Sequence, residues 1–458
     1  MKLIWTFIVV AGVLFALAQF VRPVIPAKPA TAEVQVPPAV KQILEKDCYS
    51  CHSDERRLAW FDQIEPAYWI VRHDILNARS HLNFSTLGSA PAAVQKAKLF
   101  EAVNMIQLGA MPLPQFVALH PDAKVTPQEL VVLKAYLSPW RALPSLSSST
   151  PKNDMQSAAS HGVEASPISL SAIQPEHNGL LFDPSFEIWK LLSTTDRGDN
   201  NTFRFVLGND IAVQAAQSGN ISSWPDGTRF AKVAWQQEMG ADGLIHPGKF
   251  VQVELMVKDA RRYKDTDGWG WGRWRDLDLK PYGKDAHFVD ECTGCHMPVR
   301  GNDYVYTLPI TRAHLNRDEI VNNAAASLPP NLPWQPLGWR AITMYVDPRN
   351  HTTATLFGND AAMQVVARRG AVGAQSPVYP AGAVLALVIW AQRDDPHWFG
   401  GRIPNAPQSV EFVQIASDSK ANTYRVFGRS ALIEEHVDAK TAAQRTNLIM
   451  NLNPARLP

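Results

Sequence analysis

The chain has 458 residues, 46% of them hydrophobic, and its 44 Lys and Arg are balanced by 43 Asp and Glu. That length supports about two or three cores of ordinary size, and the near-zero net charge removes any global electrostatic argument for a nucleic-acid partner. Fourteen Trp and 34 Pro favour compact, loop-rich domains whose aromatic surface can line a cofactor pocket.

At the N-terminus Lys2 precedes an uncharged apolar run, Leu3 to Val21, which Arg22-Pro23-Val24-Ile25-Pro26 closes because proline stops a helix. The run is about long enough to span a bilayer. It exceeds the usual apolar region of a signal peptide, and the nearest small-x-small site, Ala30-Thr31-Ala32, lies well beyond its end. Residues 1–35 are therefore read as a retained anchor, with Lys2 on the cytoplasmic side, over a cleaved signal peptide or a buried soluble helix.

The next feature is Cys48-Tyr49-Ser50-Cys51-His52, which recurs as Cys292-Thr293-Gly294-Cys295-His296; together these hold every cysteine in the chain. Two thiols two residues apart can add to the two vinyl groups of a haem, and the adjacent imidazole can turn back onto the iron. A shared zinc site would have to unite pairs far apart in sequence, each with a His at the same offset. A thioredoxin-like dithiol expects one such motif near a βαβ pattern. Two covalently attached c-type haems are expected, with His52 and His296 as iron ligands. Such attachment occurs outside the cytoplasm in bacteria, which predicts a periplasmic protein held at the inner membrane by its first segment.

Residues 36–142 read as a small helical domain. Bulky groups recur at helical spacing through Tyr68-Trp69-Ile70 to Ile75, Met111-Pro112 lies in a stiff loop after Gly109, and Thr126-Pro127-Gln128-Glu129 supplies a cap for a helix through Leu137. The first haem motif, the Met111-Pro112 loop, His120-Pro121 and the capped helix together resemble the bacterial haem-binding domain related to class I cytochromes c. The resemblance implies His52 and Met111 as the axial pair, an arrangement that raises the reduction potential and leaves no open iron position. His73, His81 and His120 are rival ligands or haem-propionate partners, although each alone is more often structural.

Residues 143–178, rich in Ser and Pro and without periodicity, read as a linker. A repeat follows. Trp189-Lys190 through Gly208-Asn209-Asp210 aligns without gaps to Trp339-Arg340 through Gly358-Asn359-Asp360, and Ala231 to Gln237 aligns to Ala386 to Gln392. Trp224-Pro225-Asp226-Gly227 matches Tyr379-Pro380-Ala381-Gly382, and Phe250-Val251-Gln252-Val253 is set against Phe412-Val413-Gln414-Ile415. Short runs rich in β-branched and aromatic residues, 202–207, 228–235 and 250–257, read as strands, with one helix over 211–217 capped by Asn209 or Asp210. The first copy, 179–313, then adds Gly268-Trp269-Gly270-Trp271 and the second haem motif. After a linker at 314–335, the second copy, 336–458, has neither. The expected fold class is multidomain α+β: an all-α cytochrome c-like domain followed by two mostly-β repeats.

The Trp-Pro-Asp-Gly strand, the Gly-Trp-Gly turn and the late Cys292–His296 motif resemble the cytochrome P460 family and, by extension, the β-sheet cytochromes c′. The resemblance implies a β-sandwich-like haem domain with His296 proximal and an open or weakly ligated distal site. One branch of the family oxidises hydroxylamine and carries a Lys–haem cross-link; the other binds NO or CO. Lys232, replaced by Leu387 in the haemless copy, is the candidate for that link. Alternation puts it on one strand face with Phe230 and Ala234, opposite Val233 and Trp235, but a strand Lys by itself reads as solvent-facing. Glu238, for proton transfer, and Arg229 are further distal candidates. Met297 is badly placed for the distal side, and Trp269, Trp271 and Trp274 are expected against the haem or its crevice. Because P460-like domains tend to pair as homodimers, the degenerate copy could supply that partner within one chain.

The readings that follow are an envelope dihaem electron carrier working with an unknown cytochrome or cupredoxin, an oxidoreductase acting on hydroxylamine or NO, and an NO- or CO-binding sensor or carrier. No phosphate loop, nucleophile elbow or dinucleotide fingerprint accompanies them.

Overall fold

The computed structural model describes residues 2–55, 57–138, 173–219, 221–311, 321–368, 378–417, 421–429 and 431–457, and falls into two units, Met1–Arg141 and Ala142–Pro458. Most of the expected first linker, 143–172, lies outside the described residues, as does 314–320 of the second.

The first unit is helical: α1 (Lys2–Ala18), α2 (Pro38–Asp47), α3 (Tyr49–His52), α4 (Ala67–His81), α5 (Phe84–Leu87), α6 (Ala92–Gln107), α7 (Pro114–Leu119) and α8 (Pro127–Leu137). Val40, Ile43, Leu44 and Asp47 share one face of α2; α2 and α6 both pack on α8, where Leu133 and Leu137 are buried. The start of α8 is fixed as its sequence predicts. Thr126 Oγ1 accepts from the Glu129 N–H at 3.2 Å, and the Glu129 carboxylate accepts from the Thr126 N–H at 2.8 Å.

Helix α1 ends at Ala18, short of the predicted Val21, and exposes Trp5, Phe7, Leu14 and Leu17. No helix among the described residues is long and apolar enough to cross a membrane. Residues 21–34 form an extended strap rather than a free spacer. Val21, Pro23 and Val24 carbonyls accept from the Trp69 indole, the Tyr68 hydroxyl and the Arg72 guanidinium of α4 at 2.8, 2.8 and 3.1 Å. Ile25 is buried with Tyr68 and Ile75.

The second unit holds both repeats. The first copy contributes β1 (Lys190–Arg197), β2 (Thr202–Gly208), β3 (Arg229–Met239), β4 (Ile245–Lys258), β5 (Trp269–Arg275) and β6 (Lys280–Pro281), with α9 (Asp210–Ser218) and α10 (Phe288–His296). The second contributes β7 (Arg340–Asp347), β8 (Thr352–Gly358), β9 (Val384–Asp395), β10 (Trp398–Gln414), β11 (Thr423–Gly428) and β12 (Ile433–Glu435), with α11 (Asp360–Arg368) and α12 (Ala439–Asn451). Asn209 and Asn359 cap α9 and α11, each accepting at 3.0 Å from the N–H of Ala212 or Ala362. Their amide groups donate to Gly227 O and Gly382 O, turn glycines with φ of +86° and +80°, a conformation that costs glycine little.

The two copies do not stand as separate sandwiches. The order β1-β2-β3-β4-β7-β8-β9-β10 returns to β1, closing a barrel, while β5 and β6 extend from β4 and β11 and β12 from β10. The two seams are equivalent: Ile245 of β4 pairs with Val346 of β7, and Arg402 of β10 pairs with Asp196 of β1. Each copy also bears the same register shift, between Leu191 and Ser193 and between Ala341 and Thr343, which turns Leu192 and Ile342 to the outside.

Register corrects one detail of the repeat. Lys232 pairs with Glu254, and Leu387 with Glu411, so Glu254 corresponds to Glu411 and Leu255 to Phe412. Phe250 pairs with Trp235 and so corresponds to Pro407, the partner of Trp390; the bulges of β4 and β10 fall at equivalent positions, and aligning Phe250 with Phe412 matched similar letters out of register.

The barrel interior is apolar and shared. Phe203, Phe205, Trp235, Val253 and Trp274 from one copy meet Phe357, Val388, Trp390, Val410 and Phe412 from the other. The ends of both presumed linkers belong to this core: Trp274 Nε1 donates to Gln174 O at 3.0 Å and Trp390 Nε1 to Ala326 O at 2.9 Å, while Leu328 and Leu332 are buried. Trp235→Ala and Trp390→Ala are each expected to destabilise the barrel by about 3–5 kcal/mol. Because the core is common, urea denaturation should show both halves unfolding in one transition in either variant.

Candidate functional site

In the first unit the haem motif spans the end of α2 and all of α3. His52 Nδ1 lies 2.9 Å from Leu82 O, and the Ala78 carbonyl also bonds the ring; the nitrogen that does not donate is the one available to a metal. Burial lowers the His52 pKa, favouring the neutral ring, and pushes the Cys48 thiol up to about 12. Beside Cys48, Val40, Leu44, Leu99, Val103, Ile106 and Leu137 line a shallow apolar cleft, hydrocarbon surface of the kind a porphyrin requires. Met111 follows Gly109, whose φ of +70° ends α6, and its N–H donates to Met105 O at 3.1 Å. His120 has no nitrogen to spare: Nε2 lies 3.0 Å from Asp62 and Nδ1 3.1 Å from Phe116 O. His73 and His81 are exposed on α4.

The second unit repeats the device on a different scaffold. His296 ends α10, and its Nδ1 donates to Tyr304 O at 2.7 Å, freeing Nε2. Burial pushes its pKa down to about 4, which keeps the ring neutral, as a ligand must be. Tyr304 faces it because Asp303 and Tyr304 are both left-handed, with φ of +48° and +65°, a conformation L-residues rarely hold. The Asp303 carboxylate ties the turn down, accepting from Lys258 Nζ at 2.7 Å, Trp269 Nε1 at 3.1 Å and the Trp224 N–H at 2.8 Å.

The sheet face towards α10 is the outer face of β2 to β5. Phe230, Met256, Trp269 and Trp271 pack with Phe288 and Cys292 of α10, and the Trp271 ring lies 4.6 Å from that of His296. Trp274, three residues along β5 from Trp271 and so on the opposite face, packs into the core shared with the barrel instead. That corrects the expectation that all three tryptophans line one crevice.

On the same outer face is a charged row. Lys232 Nζ is ion-paired with Glu254 Oε2, Gln252 Nε2 donates to Glu254 Oε1, and Arg273 Nε is 3.3 Å from that oxygen. Lys232 is therefore not a solvent-facing strand lysine. Only 28% of its side chain is exposed, and burial, reinforced by Arg204 and Arg273, pushes its pKa down to about 8. Burial alone would raise Glu254; Lys232 and Arg273 overcome it and hold the carboxyl well below its usual range. The charge of Lys232 adds to burial in depressing the His296 pKa. Glu238 does not join them: it is exposed at the far end of the β3–β4 hairpin, opposite His246. Arg229 is tied to Asp183 at 2.5 Å, and Met297 Sδ lies 3.9 Å from the Tyr304 hydroxyl.

Buried donors without partners are the clearest test of fit. Arg204 Nε, Trp224 Nε1 and Trp271 Nε1 have none, although buried polar groups are normally satisfied. Burial pushes Arg204 down to about 10. Unpaired donors and an excess of cations suit the two carboxylates of a haem. Residues 9–139 match the model of a haem-binding domain, and residues 184–307 that of cytochrome P460. The chain joins a haem-binding domain to a cytochrome P460 domain. It is thus a haem cytochrome, and its mostly-β second unit agrees with that assignment. No curated protein matches the chain.

The P460 match ends before the second copy, whose outer face is filled differently. Leu387 replaces Lys232 there, yet Glu411 keeps the place of Glu254 and receives a bidentate Arg445 from α12 at 2.8 and 2.6 Å, plus the Tyr424 hydroxyl at 2.7 Å. Helix α12 packs directly on β9, β10 and β11, whereas α10 leans on β5. Sequence reading missed Glu254, Arg204 and Arg273. The glutamate common to both copies was the available signal, hidden by the misplaced alignment of β4.

A titration follows from these charges. With its folded-state pKa near 8 against an ordinary 10.5, Lys232 holds fewer protons folded than unfolded between those values, so its contribution to stability improves as pH rises through that window. Amine labelling of the protein followed by peptide mapping should show Lys232 reacting with a midpoint near pH 8. Glu254→Gln should move that midpoint lower by removing the counter-charge.

Proposed function

We propose that the protein is a dihaem c-type cytochrome of the bacterial envelope that transfers electrons through a His52/Met111 haem coupled to a P460-type haem on His296. The observation that carries this reading is the device found twice. Each Cys-x-x-Cys-His segment presents a histidine whose Nδ1 is held by a main-chain carbonyl, Leu82 O or Tyr304 O, and whose burial favours the neutral ring. A haem iron bound at each site would supply one-electron redox chemistry. Cys48 and Cys51, and Cys292 and Cys295, would form the thioether links, and Met111 would close the first iron to outside ligands, as electron transfer requires.

A second reading, oxidation of hydroxylamine or NO at the His296 haem, is favoured by Lys232. Its pKa near 8 gives it a neutral, nucleophilic fraction at neutral pH, and it stands in the haem site but has no counterpart in the haemless copy. Those are the properties a Lys–haem cross-link would need, with Glu254 holding the amine in position.

The strap supports a retained N-terminal segment, and with it the proposed attachment at the inner membrane. Cleavage after Ala32 would strip away Ile25 and the carbonyls that bind α4, so a retained N-terminal segment is the reading consistent with a folded haem-binding domain, with α1 as its membrane attachment. The redox partner is a small cytochrome or cupredoxin.

The absorption spectrum of the reduced protein should show CO shifting about half of the haem, as one open and one closed iron require; no response at either haem would refute the open-site reading. Met111→Ala should make the first haem CO-reactive as well, and an unchanged spectrum would remove Met111 from the axial pair. Mass spectrometry of the peptide containing Lys232 tests the second reading, because an unmodified peptide counts against the cross-link.

A further inference from the structure

We propose that the haemless repeat tunes the second haem through His397, a positioning residue acting on the proximal histidine from the other copy. The inference rests on His296 being that ligand. The segment behind α10 does two things: Tyr304 O accepts from His296 Nδ1 at 2.7 Å, and the Tyr306 hydroxyl donates to Cys295 O at 2.7 Å, with the Tyr306 ring edge-on to His296 at 5.0 Å. This backing segment belongs to no strand. Asn302 holds Val305 O at 2.6 Å, and the next carbonyl, Tyr306 O, is held from the second copy.

His397 lies in the turn between β9 and β10, where Asp395 pairs with Trp398. It is 4% exposed, and its Nδ1 donates to Tyr306 O at 2.7 Å. Its own N–H donates to Asp395 Oδ1 at 2.9 Å, and Trp398 packs edge-on against the Tyr306 ring at 5.6 Å. The hairpin tip of the haemless copy thus fixes a peptide two residues from the carbonyl that polarises His296. A hydrogen bond to the non-ligating nitrogen makes an imidazole a stronger donor to its metal. Loosening the Tyr304–Tyr306 segment therefore weakens that donation and favours the ferrous state.

The test uses the full-length, haem-loaded protein and two readouts, the iron–histidine stretching frequency of the ferrous second haem by resonance Raman and the reduction potentials of both haems. His397→Phe keeps the ring but not the donor; it should lower the stretching frequency and raise the potential of the second haem only. His397→Asn, which keeps an N–H near the position of Nδ1, should leave both at wild-type values. An unchanged Phe variant, or equal shifts in both variants, overturns the proposal. If the wild type itself shows no iron–histidine stretch, the assignment of His296 as sole axial ligand fails, and this role for His397 falls with it.

Discussion

Closure of the barrel is the constraint on which the second unit depends. Each copy presents an inner sheet face of large apolar side chains, Trp235 and Phe203 on one and Trp390 and Phe412 on the other, and the two faces, with the linker ends, bury each other. The copies satisfy each other through two equivalent seams, Ile245–Val346 and Asp196–Arg402. Since the interior demands both halves, the second copy is retained whether or not it binds haem, and only the outer faces are free to differ.

The outer faces have differed. On the first copy the sheet offers cations and unpaired donors, and its helix stands off on β5; on the second, α12 lies flat against three strands and brings its own arginine. The histidine geometry, in contrast, is the same in two unrelated scaffolds, a helical bundle and a barrel. In both, a main-chain carbonyl rather than a carboxylate receives Nδ1–H. A neutral acceptor leaves the imidazole less electron-rich than a carboxylate would, and a carbonyl's position is fixed by the fold rather than by a rotamer.

Much of this was legible in the sequence because it is local. The Cys-x-x-Cys-His segments, the Thr126–Glu129 capping box and the Asn209 and Asn359 caps are set by residues a few positions apart, and strand alternation already separated Lys232 from Val233 and Trp235. What was not legible depends on pairing across strands. Glu254 becomes meaningful only when β4 is placed in register, and the similar letters of Phe250–Val253 and Phe412–Ile415 drew the alignment away from the equivalence that strand pairing gives. Trp274 looked like a companion of Trp271 in the letters but is on the opposite face of β5. His397 is beyond any local rule, because it is about a hundred residues from His296 and meets it only through barrel closure.

The glutamate common to both copies has a consequence for engineering. A carboxylate at 4% exposure, as Glu411 is, needs a cation beside it, and in the second copy, where Leu387 stands in place of Lys232, that cation is Arg445 of α12. Grafting a haem motif into the second copy would not by itself make a haem site, since the outer face is occupied by the same helix that keeps Glu411 neutralised.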